Sequence, residues 1–140
     1  MVRSGQLTAT LLATILACAC ALSAAAHAAS GIPLARDFQE DGRSARATQR
    51  VILVLFTTAD CPWCHRVREE YLKPMLANSH DASRIIVREI DIGELDALSD
   101  FAGAGTTHAA FAGRQNVRFA PTVIIFGPGG EPLAEPLVGF

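Results

Sequence analysis

The segment DCPWCHRV, residues 60–67, carries two thiols two residues apart, with an imidazole directly behind the second. Sulfur at that spacing supports two kinds of chemistry. As a bare Cys-x-x-Cys, Cys61 and Cys64 form a pair that cycles between dithiol and disulfide. With His65 included, the same string is the attachment signature of a c-type haem. An inert structural bridge and half of a zinc site are the plainer readings. Zinc takes about four ligands, and beyond residue 28 the chain adds only His65, His80 and His108 to the two cysteines. Haem needs an axial partner opposite His65. Met75 falls on the same predicted helix as His65, so His80 and His108 remain for that role.

The redox reading asks for three things, and the local sequence supplies each. A thiolate must exist near neutral pH. Cys61 stands just before Pro62, where a strand gives way to a helix, and the unpaired N–H groups and positive dipole end of a helix favour a charged sulfur. A second thiol must lie within reach, and two intervening residues at a helix start bring Cys64 back onto Cys61. The attacking sulfur must be open while the resolving one is shielded, which suits Cys61 on the loop side and Cys64 one turn in. Attack, a mixed disulfide and resolution then follow.

The elements that must hold this pair are legible around it. VILVLF, Val51 to Phe56, is an unbroken apolar, β-branched run, as expected of a strand covered on both faces. From Pro62, a favoured residue for a first helical turn, Val67, Leu72, Tyr71 and Met75 fall at helical spacing. Arg66, Arg68, Glu69 and Glu70 between them read as a solvated face. Pro74 is expected to kink or end that helix. RIIVREIDI predicts a second strand closed by Asp91, and GELDALSDFAGAG a loop with a short helix. Thr106 is expected to cap a helix running through Ala112. TVIIF after Pro121, the GPGG turn and EPLAEPLVGF predict an antiparallel hairpin. Pro33 to Gln49 reads as an N-terminal helix weakened by Gly42, and Phe101, Phe111 and Phe119 as core. The order describes a small α/β sandwich with a mixed sheet.

The 140 residues bear a net charge of −2 and no basic block, which offers nothing to nucleic acid or an anionic membrane surface. Arg3, an apolar stretch centred on Leu11 to Leu22, and Ala26-His27-Ala28 make a secretory signal. Cleavage is expected after Ala28; retention as a membrane anchor, or lipid attachment at Cys18 or Cys20, are the alternatives. Removal takes Cys18 and Cys20 away and leaves the lone pair Cys61/Cys64, unlike a multi-bridge framework.

VILVLFTTADCPWCHRV, followed downstream by VRFAPTVIIF, a Gly-Gly turn and LVGF, resembles the thioredoxin superfamily, and more narrowly its secreted bacterial thioredoxin-like members. The resemblance covers residues 51–140. It implies an α/β thioredoxin-like fold with a mixed central sheet flanked by helices over 51–140, which leaves a helical extension over 29–50 behind the signal peptide of 1–28. It also implies thiol–disulfide exchange through Cys61 and Cys64, with Asp60, Pro62, Trp63 and His65 tuning the pair. Pro121 then carries the family's cis-proline role and, with Ala120, shapes the substrate groove, while Gly139 matches a glycine of the last strand. The implied partners are cysteine-containing proteins or peptides and a membrane or periplasmic redox partner. The only implied cofactor is the redox-active disulfide, with no metal and no nucleic acid, and the location is exported and periplasmic. Two departures stand out. Leu55 replaces the buried carboxylate of thioredoxins proper, so that Asp60 or a water would have to relay protons. The chain also stops at Phe140, where the family's C-terminal helix should begin.

Overall fold

The computed structural model describes residues 31–139; the signal segment and Cys18 and Cys20 lie outside the described residues. The scaffold grows from Val51–Thr57 (β1), the apolar run, which is buried along nearly its whole length. Ile85–Asp91 (β2) pairs with it in parallel and Thr122–Phe126 (β5) pairs antiparallel on its other side. Leu137–Val138 (β6) completes the order β2-β1-β5-β6. The sheet is therefore mixed, with the strand that leads to Cys61 at its centre.

Alternation along β1 splits the core into two layers. Ile52, Val54 and Phe56 face one side with Ile86, Ile90, Ile124 and Phe126. There they meet Phe38–Thr48 (α1) and His108–Arg114 (α5) through Phe38, Ala45, Phe111 and Ala112. Leu53 and Leu55 face the other side with Val87, beneath Val67 and Leu72 of the helix that follows the cysteines.

That helix runs as Pro62–Val67 (α2), a π-helical turn over Arg68–Leu72, and Lys73–Ala77 (α3); a short turn, Ser79–Ala82 (α4), leads into β2. Pro74 neither ends it nor breaks it at its own position. The extra residue of the π turn, closed by the Lys73 N–H on the Arg68 carbonyl, resets the hydrogen-bond ladder. Pro74 then falls in the first turn of a fresh α-helical stretch, where a missing N–H costs nothing.

Several local expectations are corrected. The N-terminal helix begins at Phe38, because Asp37 caps it by accepting from the Glu40 N–H at 2.9 Å. The residues before it are extended along the outer edge of β2: the Ala35 N–H donates to the Glu89 carbonyl at 2.8 Å and the Glu89 N–H to that of Pro33 at 2.9 Å. Gly42 is required by packing. A Cβ there would lie 2.5 Å from the Pro128 carbonyl oxygen, so the β5–β6 turn can approach α1 only over a glycine. The segment read as a loop with a short helix instead forms a two-stranded ribbon, Ala97–Ser99 (β3) against Gly105–Thr107 (β4). The cap of α5 is Thr107, one residue later than expected, its Oγ1 accepting from the Ala110 N–H at 3.2 Å. The last strand shrinks to two residues, since Pro132 and Pro136 have no N–H to give the ladder. Phe119 is 69% exposed and does not belong to the core.

His108 is also not available as a ligand. It is 1% exposed, with Nε2 donating to the Ala35 carbonyl at 2.8 Å and Nδ1 accepting from the Asp91 N–H at 3.3 Å. One ring thus ties α5 to the end of β2 and to the N-terminal edge. Leucine at this position orphans two backbone groups, and His108→Leu is expected to lower stability by about 2 kcal/mol or more in a urea melt. An unchanged midpoint would show that water replaces the ring without cost.

Candidate active site

β1 delivers the chain to a tight approach, Thr58 to Asp60, in which Asp60 takes a left-handed backbone conformation with φ 53°. Aspartate tolerates that region better than most residues. Cys61 follows as the N-cap of α2, with extended backbone and Pro62 at the first helical position. Its Sγ accepts the Cys64 N–H at 3.1 Å, so a backbone donor of the first turn already points at the sulfur. Cys61 and Cys64 are joined in a disulfide. The two sulfurs have different surroundings: Cys64 is fully buried, whereas Cys61 is partly exposed. A partly exposed, helix-capping cysteine bonded to a buried one can be attacked, or attack, on one side only.

An open cavity adjoins Cys61. Asp60, Pro62 and His65 line it, together with Thr57, Arg68 and Glu89, which the sequence reading did not single out for a site. Arg68 is corrected from the solvated helix face. It turns inward, and its Nε and Nη2 each donate at 2.7 Å to the two carboxylate oxygens of Glu89. The Thr57 hydroxyl adds a third bond to Glu89 at 3.2 Å. The side chains of Arg68 and Glu89 retain 24% and 11% of their exposure. Glu89 holds the guanidinium in its charged form, chiefly by hydrogen bonding, against the opposing effect of burial.

Leu55, the position without a carboxylate, is fully buried and is the direct partner of Glu89 across the parallel pair. A buried carboxylate is therefore present beneath the active-site helix, carried on the neighbouring strand. The sequence held a signal for it: RIIVREIDI places three charged residues, Arg88, Glu89 and Asp91, inside a strand that is otherwise apolar. Arg88 points to the opposite face, where its Nε donates to buried Asp41 of α1 at 2.9 Å.

The remaining tuning candidates diverge. Trp63 is 53% exposed and does not line the cavity. His65 is well exposed, with Nε2 at 3.9 Å from Glu69. Lys73 bonds the same carboxylate and, with its charge, holds Glu69 below the usual carboxylate range. The Ala120–Pro121 peptide bond is cis. Pro121 is buried, and because Thr122 pairs with Phe56 it stands beside the end of β1 that leads to Cys61.

The family model for a thioredoxin-like domain matches residues 38–140. Solved structures similar to this chain include thioredoxin NaTrxh from Nicotiana alata, at 20% identity and a TM-score of 0.52, covering 81% of this chain and 87% of that one. The germline-specific thioredoxin Deadhead of Drosophila melanogaster is 19% identical with a TM-score of 0.53, over 76% of this chain and 85% of that one. Mitochondrial thioredoxin 3 of Saccharomyces cerevisiae is 16% identical with a TM-score of 0.51, over 77% and 83%. At such identity these likenesses speak for the fold. No curated protein sequence matches the chain. The fold with its Cys-x-x-Cys disulfide supports thiol–disulfide oxidoreductase activity in general. The family match takes in α1, the whole sheet and the cysteine pair, and on it the chain belongs to the thioredoxin-like family.

Proposed function

We propose that this protein is an exported thiol–disulfide oxidoreductase that exchanges disulfides with cysteine-containing proteins or peptides. The observation that carries the proposal is the asymmetry of the two sulfurs: Cys61 partly open at a helix N-cap, Cys64 buried one turn in. In the reducing direction the Cys61 thiolate attacks a substrate disulfide, forming a mixed disulfide and releasing one substrate sulfur as thiolate. Cys64, deprotonated, then attacks Cys61. The second substrate sulfur leaves and the Cys61–Cys64 bond re-forms, two electrons having passed to the substrate. The oxidising direction is the same sequence reversed, and a membrane or periplasmic redox partner resets the pair. Electrons move between sulfurs alone, without metal or organic cofactor.

In this reading Ala120 and Pro121 shape the groove for the substrate chain, and Asp60, Pro62, Trp63 and His65 tune the pair. Export rests on the N-terminal signal pattern of residues 1–28. Insulin reduction driven by dithiothreitol tests the activity. Precipitation of the freed B chain is expected to run well ahead of the dithiothreitol blank. A rate equal to the blank, or a Soret band in protein recovered from a periplasm, would contradict the reading.

A further inference from the structure

We propose that Arg68 and Glu89 act on the proton affinity of Cys61 with opposed fields that their pairing balances, and that this balance holds the reduction potential of the Cys61–Cys64 disulfide where it lies. The inference rests on the reading of the two cysteines as redox-active and adds to it two charges, either of which alone would shift their poise.

Arg68 and Glu89 line the cavity that also holds Cys61. Both are largely withdrawn from water, so their fields are screened less than those of surface groups. The fork of two 2.7 Å bonds, with the Thr57 hydroxyl on the same carboxylate, fixes the geometry. A thiolate on Cys61 therefore shares this cavity with a locked pair of opposite charges whose net monopole is zero. The other charged groups bordering the cavity are Asp60 and His65, both exposed, and Asp91 at the end of β2. These are constant across the variants below.

Burial also argues that the pair serves more than stability. Leu55, next to Glu89 on the same face, shows that a leucine fits this layer. Apolar residues in place of a buried ion pair are commonly no less stable. Its value lies in what either charge does when the other is taken away.

That dependence has a sign. Removing the carboxylate exposes Cys61 to an uncompensated guanidinium, which favours the thiolate. Removing the guanidinium exposes Cys61 to an uncompensated carboxylate, which favours the protonated thiol. A stabilised thiolate stabilises the reduced protein and makes the disulfide more oxidising. Loss of packing alone has no reason to push the two variants in opposite directions.

The test uses Glu89→Gln, Arg68→Gln and the double variant. The pH dependence of Cys61 alkylation in the reduced protein gives its pKa, and equilibration with glutathione gives its redox constant. Glu89→Gln is expected to lower the Cys61 pKa by about one unit, and Arg68→Gln to raise it. The redox constants move oppositely, each by up to about tenfold, or about 30 mV. The double variant returns to within about 0.3 units of the parent. Shifts of the same sign, or none in either variant, would overturn the proposal. If one single variant does not fold, the double variant against the surviving single decides: restoration supports the proposal and no restoration overturns it. Neither readout uses a protein substrate. Opposed shifts without insulin turnover would sink the enzyme reading alone, and turnover without opposed shifts would sink this inference alone.

Discussion

Cys61→Ser is expected to abolish insulin reduction, lowering the rate by about a thousandfold or more, to the level of the dithiothreitol blank. The hydroxyl of serine is not ionised near neutral pH and forms no mixed disulfide. The remaining thiol, Cys64, has no exposed surface from which to replace it. Cys64→Ser leaves a different residue of chemistry, since the partly exposed Cys61 thiol still attacks once and then waits on the covalent adduct. Multiple turnovers should disappear in both variants, and the burst of a single adduct only in Cys61→Ser. Retention of a tenth of the parent's turnover by Cys61→Ser would remove that residue from the nucleophile's role.

The second large effect concerns the frame that holds the cysteines. Phe38→Ala is expected to lower the unfolding free energy by about 3–5 kcal/mol. Phe38 is fully buried, stacked on Phe101 with ring centroids 4.8 Å apart and an interplanar angle of 3°, and lies 4.9 Å from the Phe111 ring. It anchors α1 to the layer formed by Ile52, Val54 and Phe56 of β1. For a domain of this size the loss corresponds to a midpoint roughly 12–24 °C lower, measured by thermal denaturation monitored at a helical wavelength. It is also a large share of the roughly 5–15 kcal/mol that holds most domains folded. A drop of less than about 1 kcal/mol would mean that the space collapses or that α1 contributes little to the fold.

Much of the scaffold could be read from the chain because burial writes a strong local pattern. Val51 to Phe56 has no polar residue, and a strand with none has to be covered on both sides, as it is. Pro62 after Cys61 marks a helix start whatever surrounds it. What could not be read depends on partners distant in sequence. Glu89 looks like one charge among several in RIIVREIDI; only the register with β1 puts it opposite Leu55, and only the inward turn of Arg68 gives it a counter-ion. Arg68 itself sits in a run of charges, three of which (Arg66, Glu69 and Glu70) stay at the surface. Phe119 shows the converse error, since an aromatic beside a strand suggests core while this one stands in solvent. The ribbon of β3 and β4 was hidden because its strands are three residues long and rich in alanine, glycine and threonine.

The account turns on Cys61 as the attacking sulfur and Cys64 as the resolving one, and a trapping experiment addresses both together. Reduced Cys64→Ser protein is mixed with insulin, and the products are separated without reductant. The account predicts a covalent adduct that dithiothreitol releases, with peptide mass mapping placing the substrate sulfur on Cys61. No adduct, or an adduct carried by a different residue, would contradict it.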